Sequence, residues 1–453
     1  MKKMKQWITM LLLVVYSIAG TAVVRAMPAE DLNKAYTIYL AASACVAAYS
    51  DRPGDLARQY LKQQGWQIQP YEQNSENADA RFLVIKNIDA NHLEESYVIA
   101  FTGTETVKDV KTDVRAGRVY FAGQTIEQFA DHAAKKKIPA SEPKIHRGFH
   151  EYVQAALTAK SLTDGTGQPQ LLSEWLLADS SRKVYLTGHS LGGAAATVSA
   201  ARLISMGVKP GQIEVITFGA PAVGNDAFNR QFDPVMDLTR VVISGDVVTG
   251  ILQSFAGGYA QFGREIRWVS PDWANKGPHG VTEYLDLAMK NYYDKRHQAQ
   301  GDSVALLQRG TPSFLPKAYI APVKYSLPEK FGKEKWYMQQ ALLDEYERIL
   351  PGCQPAVQPT ESQLLEQAAA SGARWLILPE VTAYQLPNAK AMYYLTLSEK
   401  IVDMTTGDVA RLAAFSANTN NLTPLEALLH SARSMSDDRE AWFLKQQESG
   451  NQQ

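Results

Sequence analysis

The residues best able to open an acyl bond gather around one serine. Ser190 stands in Val184-Tyr-Leu-Thr-Gly188-His189-Ser190-Leu191-Gly192-Gly193-Ala194, where a β-branched and aromatic run reaches a Gly-x-Ser-x-Gly pattern and a run of small residues follows. The five-residue pattern alone is common by chance; strand, tight turn and helix in succession turn it into a nucleophile elbow. The turn must hold the serine in a strained conformation so that its hydroxyl stands clear of the sheet. Gly188 and Gly192 let strand and helix approach without Cβ clashes, and the helix opens with its free N–H groups and positive dipole end toward the nucleophile.

A serine hydroxyl is a poor nucleophile without a general base, and the base needs a third group to orient it. At such an elbow the chain order is serine, then Asp or Glu, then His. Asp246 fits the middle role: it follows the apolar run Thr239–Ile243 and sits beside Gly245, where a turn aims its carboxylate inward. Asp233 and Asp237 lie in the polar connection before that run. His279, in Gly277-Pro-His-Gly280, lies in a loop ahead of a helix over Val281–Lys290, from which an imidazole can swing over the serine. His297, at the end of that helix, reads as a solvated side chain, and His430 lies outside this domain. His189 is expected to point away from the serine and pack beneath the helix, and His146 and His150 read as structural. An oxyanion hole needs two preorganised N–H donors. Leu191, directly after the nucleophile, supplies one; Thr104, just past the strand ending at Phe101, can supply the other, with its hydroxyl as an extra donor. This chemistry needs no cofactor, and Cys45 and Cys353, the chain's two cysteines, cannot build a metal site. Whether they pair or remain two separate buried thiols stays open.

The elements that must carry these residues alternate. Ala35, Ile38, Tyr39, Ala42, Val46 and Tyr49 recur at helical spacing between Ala29 and about Leu61. Strand-like runs follow at Trp66–Pro70, Ala80–Lys86, Ser96–Phe101, before the serine, at Val215–Phe218 and at Thr239–Ile243, with helical segments between them. A polar helix is expected over Glu105–Arg115 and a charged, solvated insertion over residues 122–143. The pattern implies an α/β fold with a mostly parallel sheet, flanking helices, and its site at the carboxyl ends of the strands. After His297 the composition turns polar, and a second, smaller α/β pattern begins. It has strands at Lys317–Tyr325, Arg374–Tyr384, Ala391–Asp403 and Val409–Phe415, helices at Lys335–Leu350 and Glu361–Ala370, a hairpin turn at Thr406-Gly407 and a polar helical tail.

The chain has 453 residues with a formal net charge of −1, so it carries no basic footprint for nucleic acid. Lys2, Lys3 and Lys5, the apolar stretch Ile8–Ile18 and Val24-Arg25-Ala26 together read as a secretory signal peptide cleaved after Ala26. The apolar stretch is too short to span a bilayer comfortably, which disfavours an uncleaved anchor. The expected organisation is therefore a signal peptide at 1–26, a catalytic α/β domain at 27–300 and an accessory α/β domain at 313–445, in a protein exported to the periplasm or beyond.

Residues 75–295 resemble the class 3, fungal-type lipases, an α/β-hydrolase family. The resemblance runs in order through Ile99-Ala-Phe-Thr-Gly-Thr104, His146-Arg-Gly-Phe149, Leu186-Thr-Gly-His-Ser-Leu-Gly-Gly-Ala194, Thr217-Phe-Gly-Ala-Pro-Ala-Val-Gly224, Arg240-Val-Val, Asp246 and His279. It implies a Ser190, Asp246, His279 triad with Thr104 and Leu191 at the oxyanion hole. Thr102 stands where the family commonly has Arg, and Ser-Gly-Asp-Val-Val replaces an Asn-Asp-Pro-Val-Pro-like run. The segment matching the family's lid, Glu105–Ala116, is rich in Lys and Asp, which weakens the case for a triglyceride lipase relative to an esterase or phospholipase. The C-terminal part more faintly resembles the small periplasmic α/β module of the Tol-Pal translocation protein TolB and of the curli secretion channel, through Ala370-Ser-Gly-Ala-Arg-Trp-Leu-Ile-Leu-Pro-Glu-Val381 and Leu395 to Val409. The expected activity is hydrolysis of carboxylic esters of lipids, as a lipase or esterase. A phospholipase or acyltransferase with the same triad, or a non-catalytic envelope scaffold, is the alternative. The expected partners are a lipid or small ester, a transiently contacted membrane surface, and an envelope protein met through the C-terminal domain.

Overall fold

The computed structural model describes residues 30–76, 78–87, 96–103, 117–163, 165–255, 257–271, 273–274, 277–300, 317–356, 361–387 and 392–450. The signal peptide, the helix expected over Glu105–Arg115 and Thr104 lie outside them. The chain divides into two compact units, Leu40–Leu287 and a discontinuous one that includes Ala288–Gln453.

The first unit is built on a seven-stranded sheet among the described residues: β1 (Trp66–Asn74), β2 (Asp79–Asn87), β3 (Ser96–Phe101), β4 (Lys183–His189), β5 (Ile213–Phe218), β6 (Asp237–Ile243) and β7 (Arg264–Trp268), in that spatial order. β1, β2 and β3 pair antiparallel, and β3 through β7 pair parallel. The central strands are almost continuously buried, as strands covered on both faces must be. β1 instead alternates half-buried and exposed residues and tolerates Pro70, which suits an edge strand. β7 was not expected from the sequence. Its Arg-Glu-Ile-Arg-Trp run forms the other edge, where charged side chains remain in water, and Glu265 pairs there with Arg240 and Arg267.

The helical pattern expected from Ala29 to about Leu61 is two helices, over residues 30–47 and Arg52–Gln63. The break has a physical cause. Asp51 caps the second helix by accepting from the Gly54 N–H at 2.9 Å, and Pro53, which has no N–H to donate, fits only the first turn. The insertion at 122–143 contains a short helix, Ile126–Ala133, whose Ile126, Phe129 and Ala133 are buried.

The second unit contains a six-stranded sheet: β8 (Ala318–Ile320), β9 (Lys324–Ser326), β10 (Gln354–Pro355), β11 (Trp375–Gln385), β12 (Tyr393–Asp403) and β13 (Val409–Asn418). The strand expected over Lys317–Tyr325 is two short ones, β8 and β9, each parallel to β11; Pro322 lies between them and cannot donate to a ladder. β11, β12 and β13 form an antiparallel meander, and Gly407, with φ of 78°, makes the tight turn expected at Thr406-Gly407. Both cysteines are buried free thiols. Burial pushes the Cys45 thiol up to about 12, so it stays protonated and inert.

A fully buried ion pair lies inside this unit. Arg439 (Ser436–Gly450 helix) grips Glu399 of β12 through two hydrogen bonds, Nε to Oε2 at 3.0 Å and Nη2 to Oε1 at 2.5 Å. The Tyr346 hydroxyl donates to the same carboxylate at 2.8 Å. Arg439 and Glu399 are 0% and 1% exposed, so removing one partner strands a charge in the core. Glu399→Ala should therefore destabilise the protein by about 3–5 kcal/mol in urea denaturation of the full chain. A loss below about 1 kcal/mol would show that the cluster is not the buried pair described.

Candidate active site

The elbow forms because two backbones come closer than side chains permit. A Cβ on Gly188 would lie 2.1 Å from the Gly192 carbonyl carbon, and one on Gly192 would lie 2.2 Å from the Phe101 carbonyl oxygen. With glycine at both positions, β4 runs into the Leu191–Ser205 helix within one residue, and that residue is Ser190. Ser190 takes φ 58° and ψ −126°, and among the described residues no other non-glycine residue has positive φ. A strain of about 1–3 kcal/mol persists only where the surroundings over-determine it. Here the Ser190 N–H donates to the Phe218 carbonyl at 2.9 Å, and the Ser190 carbonyl accepts from Gly193 at 3.0 Å.

The other two residues of the expected triad meet the serine. His279 Nε2 lies 3.0 Å from Ser190 Oγ, and His279 Nδ1 lies 2.9 and 2.8 Å from the two oxygens of Asp246. Asp246 follows β6 through Gly245, whose φ of 88° turns the chain inward. Its side chain is fully buried and its charge well supplied with donors. Val248 N–H donates to Oδ1 at 3.0 Å, the Tyr284 hydroxyl donates to Oδ2 at 2.7 Å, and the imidazole takes the remaining face.

Two supports were not singled out in the sequence. Tyr284 lies in the first turn of Val281–Gln300, five residues past His279, and its hydroxyl also accepts from the Ile243 N–H at 3.1 Å. Burial first, and then the Asp246 charge, raises the Tyr284 pKa, so the phenol stays a donor. Gly219, in Phe-Gly-Ala-Pro, has φ of 58°, and a Cβ there would lie 2.6 Å from Asp246 Oδ2. The only sequence signal for either was its place beside a motif.

The remaining candidates separate cleanly. Asp233 Oδ1 accepts from Gly263 at 2.9 Å, and Asp237 is an exposed residue at the start of β6. His297 packs edge-on to Trp336, and His430 lies on the Pro424–Ser434 helix of the second unit. His146 caps the Arg147–Ala156 helix by accepting from Gly148 at 3.2 Å. His150 accepts from Arg202 at 2.7 Å, and burial, with Arg202 and then Arg147 nearby, lowers its pKa to about 3. His189 turns away from the serine as expected, but it does more than pack: both ring nitrogens have partners. Leu191 opens the elbow helix, where a backbone N–H has no acceptor within the helix. Thr102, where the resembled family commonly carries Arg, donates its hydroxyl to the Ala48 carbonyl at 3.1 Å. Among the described residues no group of three or more His, Cys, Asp or Glu side chains is arranged to hold a metal.

A serine at a strained strand-to-helix turn, a histidine on its hydroxyl and a buried carboxylate behind the histidine form a proton-transfer line suited to acyl transfer. With the parallel strands and the order of the three residues, it gives the first unit an α/β-hydrolase fold. Residues 98–255 match the family described as Lipase (class 3). The matched segment holds Ser190, Leu191 and Asp246 and ends before His279.

Among curated proteins, the chain is similar to a lipase of Caenorhabditis elegans, with 52% identity over 67 residues, covering 14% of this chain and 19% of the relative. It is also similar to Phospholipase A1-II 4 of Oryza sativa subsp. japonica, with 31% identity over 209 residues, covering 42% of this chain and 52% of the relative. The chain thus spans from about a fifth to about half of the length of these relatives. Among solved structures, the lipase from Rhizopus microsporus var. chinensis aligns with TM-score 0.38 and 22% identity, over 53% of this chain and 75% of that one.

Because Tyr284 satisfies both a buried carboxylate oxygen and a buried backbone N–H, Tyr284→Phe should cost about 1–3 kcal/mol of stability, read by equilibrium denaturation. An unchanged unfolding free energy would mean that neither bond is made.

Proposed function

We propose that the chain is an exported serine hydrolase that cleaves carboxylic esters of lipids. The observation that carries this reading is the unbroken line of hydrogen bonds from Asp246 through His279 to Ser190 at a strained elbow. Ser190 Oγ attacks the acyl carbon while its proton passes to His279 Nε2. The tetrahedral intermediate collapses as Nε2 returns that proton to the leaving alcohol, and an acyl-enzyme remains. Water then enters by the same route, with His279 again as base and then acid, and the carboxylic acid leaves. Asp246 keeps its charge throughout; it holds the imidazole with Nε2 toward the serine and stabilises the imidazolium. The backbone N–H groups of Leu191 and Thr104 receive the oxyanion, each such donor being worth about 3–4 kcal/mol in the transition state. No step calls for a metal or an organic cofactor.

A phospholipase is the second reading. The similarity to a rice phospholipase A1 over 209 residues favours it, as does the Lys- and Asp-rich segment Glu105–Ala116. Export, with cleavage after Ala26, rests on the basic, apolar and small-residue succession of the N-terminus. Residues 313–445 are proposed to be an accessory interaction domain of the kind seen in TolB and the curli channel, binding an envelope protein while the hydrolase domain touches a membrane surface transiently.

Ser190→Ala should lower hydrolysis of short p-nitrophenyl esters, triglyceride emulsions and phosphatidylcholine vesicles by about 10⁶, to background, with an unchanged melting temperature. Hydrolysis that survives the substitution contradicts the assignment. The wild type's order of rates across the three substrates separates esterase, lipase and phospholipase, and product analysis with alcohol acceptors separates acyl transfer from hydrolysis.

A further inference from the structure

A second imidazole lies directly behind the first. The rings of His189 and His279 are 4.6 Å apart, and His189 is buried. His189 Nε2 lies 2.9 Å from the backbone carbonyl oxygen of His279, and His189 Nδ1 lies 2.7 Å from the Tyr49 hydroxyl. Neither contact belongs to the proton line itself.

The partners fix the chemistry of the ring. A carbonyl oxygen only accepts, so the hydrogen must be on Nε2. Burial, followed by the proximity of His279, holds the His189 pKa well below its ordinary value, so the ring is neutral. A neutral imidazole with its hydrogen on Nε2 has an acceptor at Nδ1, and the Tyr49 hydroxyl must donate to it. Tyr49 is itself confined: a Cβ on Gly103 would lie 2.5 Å from its hydroxyl and 2.5 Å from the His189 carbonyl oxygen. Gly103 also immediately precedes the proposed oxyanion residue Thr104.

We infer that Tyr49 and His189 are positioning residues for the general base. The His279 carbonyl sets the tautomer of His189, the Tyr49 hydroxyl satisfies Nδ1 and holds the ring in place, and the Nε2–H of His189 pins the backbone of the loop that carries His279. The inference deepens the hydrolase reading and rests on it. His279 is carried by the loop Gly277–Gly280, so its alignment depends on whatever holds that backbone. Misplacement of a catalytic group by about 1 Å can cost about a hundredfold in rate. Without the Tyr49 hydroxyl, the buried Nδ1 loses its donor and the ring loses one of the two contacts that aim Nε2–H at the His279 carbonyl. The residues concerned are 140 positions apart, so no local motif announces the pair.

The test compares His189→Gln, whose amide nitrogen can donate from near the Nε2 position, with His189→Leu, which cannot donate, and with Tyr49→Phe. Each is made in the full chain and assayed on a soluble p-nitrophenyl ester. His189→Leu should lose kcat by at least about tenfold with KM within about twofold, because substrate contacts are untouched. His189→Gln should recover most of that loss, and Tyr49→Phe should fall between wild type and His189→Leu. If His189→Leu fails to fold, Tyr49→Phe decides by the same split between kcat and KM. A folded His189→Leu or Tyr49→Phe with wild-type kcat overturns the inference alone, as does a His189→Gln protein no better than His189→Leu. A wild type that neither hydrolyses esters nor reacts with a fluorophosphonate at Ser190 overturns the hydrolase reading, and the inference with it.

Discussion

The site depends on the close approach of three backbones at Gly188, Gly192 and Phe101. No side chain larger than hydrogen fits at either glycine, so β4 can deliver the chain into a helix with no loop between them. The strain is focused on Ser190, which cannot relax without separating the helix from β3 and β4. The hydroxyl is thereby presented at the end of a strand, where the parallel strand β6, one beyond β5, brings Asp246 and the loop after β7 brings His279. Backbone packing creates the position of the proposed nucleophile, and the polar partners are arranged around it.

The second physical requirement is to satisfy a buried carboxylate. Asp246 has no solvent exposure at its side chain, and a carboxylate taken out of water is costly unless it is hydrogen-bonded. Val248, Tyr284 and His279 supply the donors that make the charge tolerable, and Gly219 leaves the space in which the carboxylate sits. The second unit handles a buried charge differently, by neutralising Glu399 with Arg439 in a bidentate pair. One arrangement leaves an anion available to an imidazole, and the other consumes it.

Much of this was legible in the sequence because the strongest signals are local. Gly-x-Ser-x-Gly after a β-branched run, a Gly-Asp pair after a strand and a histidine in a Gly-Pro-His-Gly loop each state their own requirement within a few residues, and the three residues meet in the structure. Tyr284, Gly219 and Tyr49 were not legible as supports, because their roles arise only when distant segments pack together. The same holds for β7, whose charged alternation reads as loop until β6 is known to lack a neighbour on that side. The two breaks near Pro53 and at Pro322 are marked in the chain by the prolines themselves. In both places periodicity of the apolar residues continued across a proline that the hydrogen-bond pattern could not cross.

On the proposed reading, the geometry around Ser190 makes this one hydroxyl a nucleophile. Intact-mass and peptide mass spectrometry after treatment with a fluorophosphonate tests it without assuming any substrate. The expected result is a single phosphonyl adduct on Ser190 of the wild-type chain, with labelling slowed by several orders of magnitude in His279→Ala. An adduct elsewhere, no adduct, or an unchanged rate in His279→Ala would contradict it.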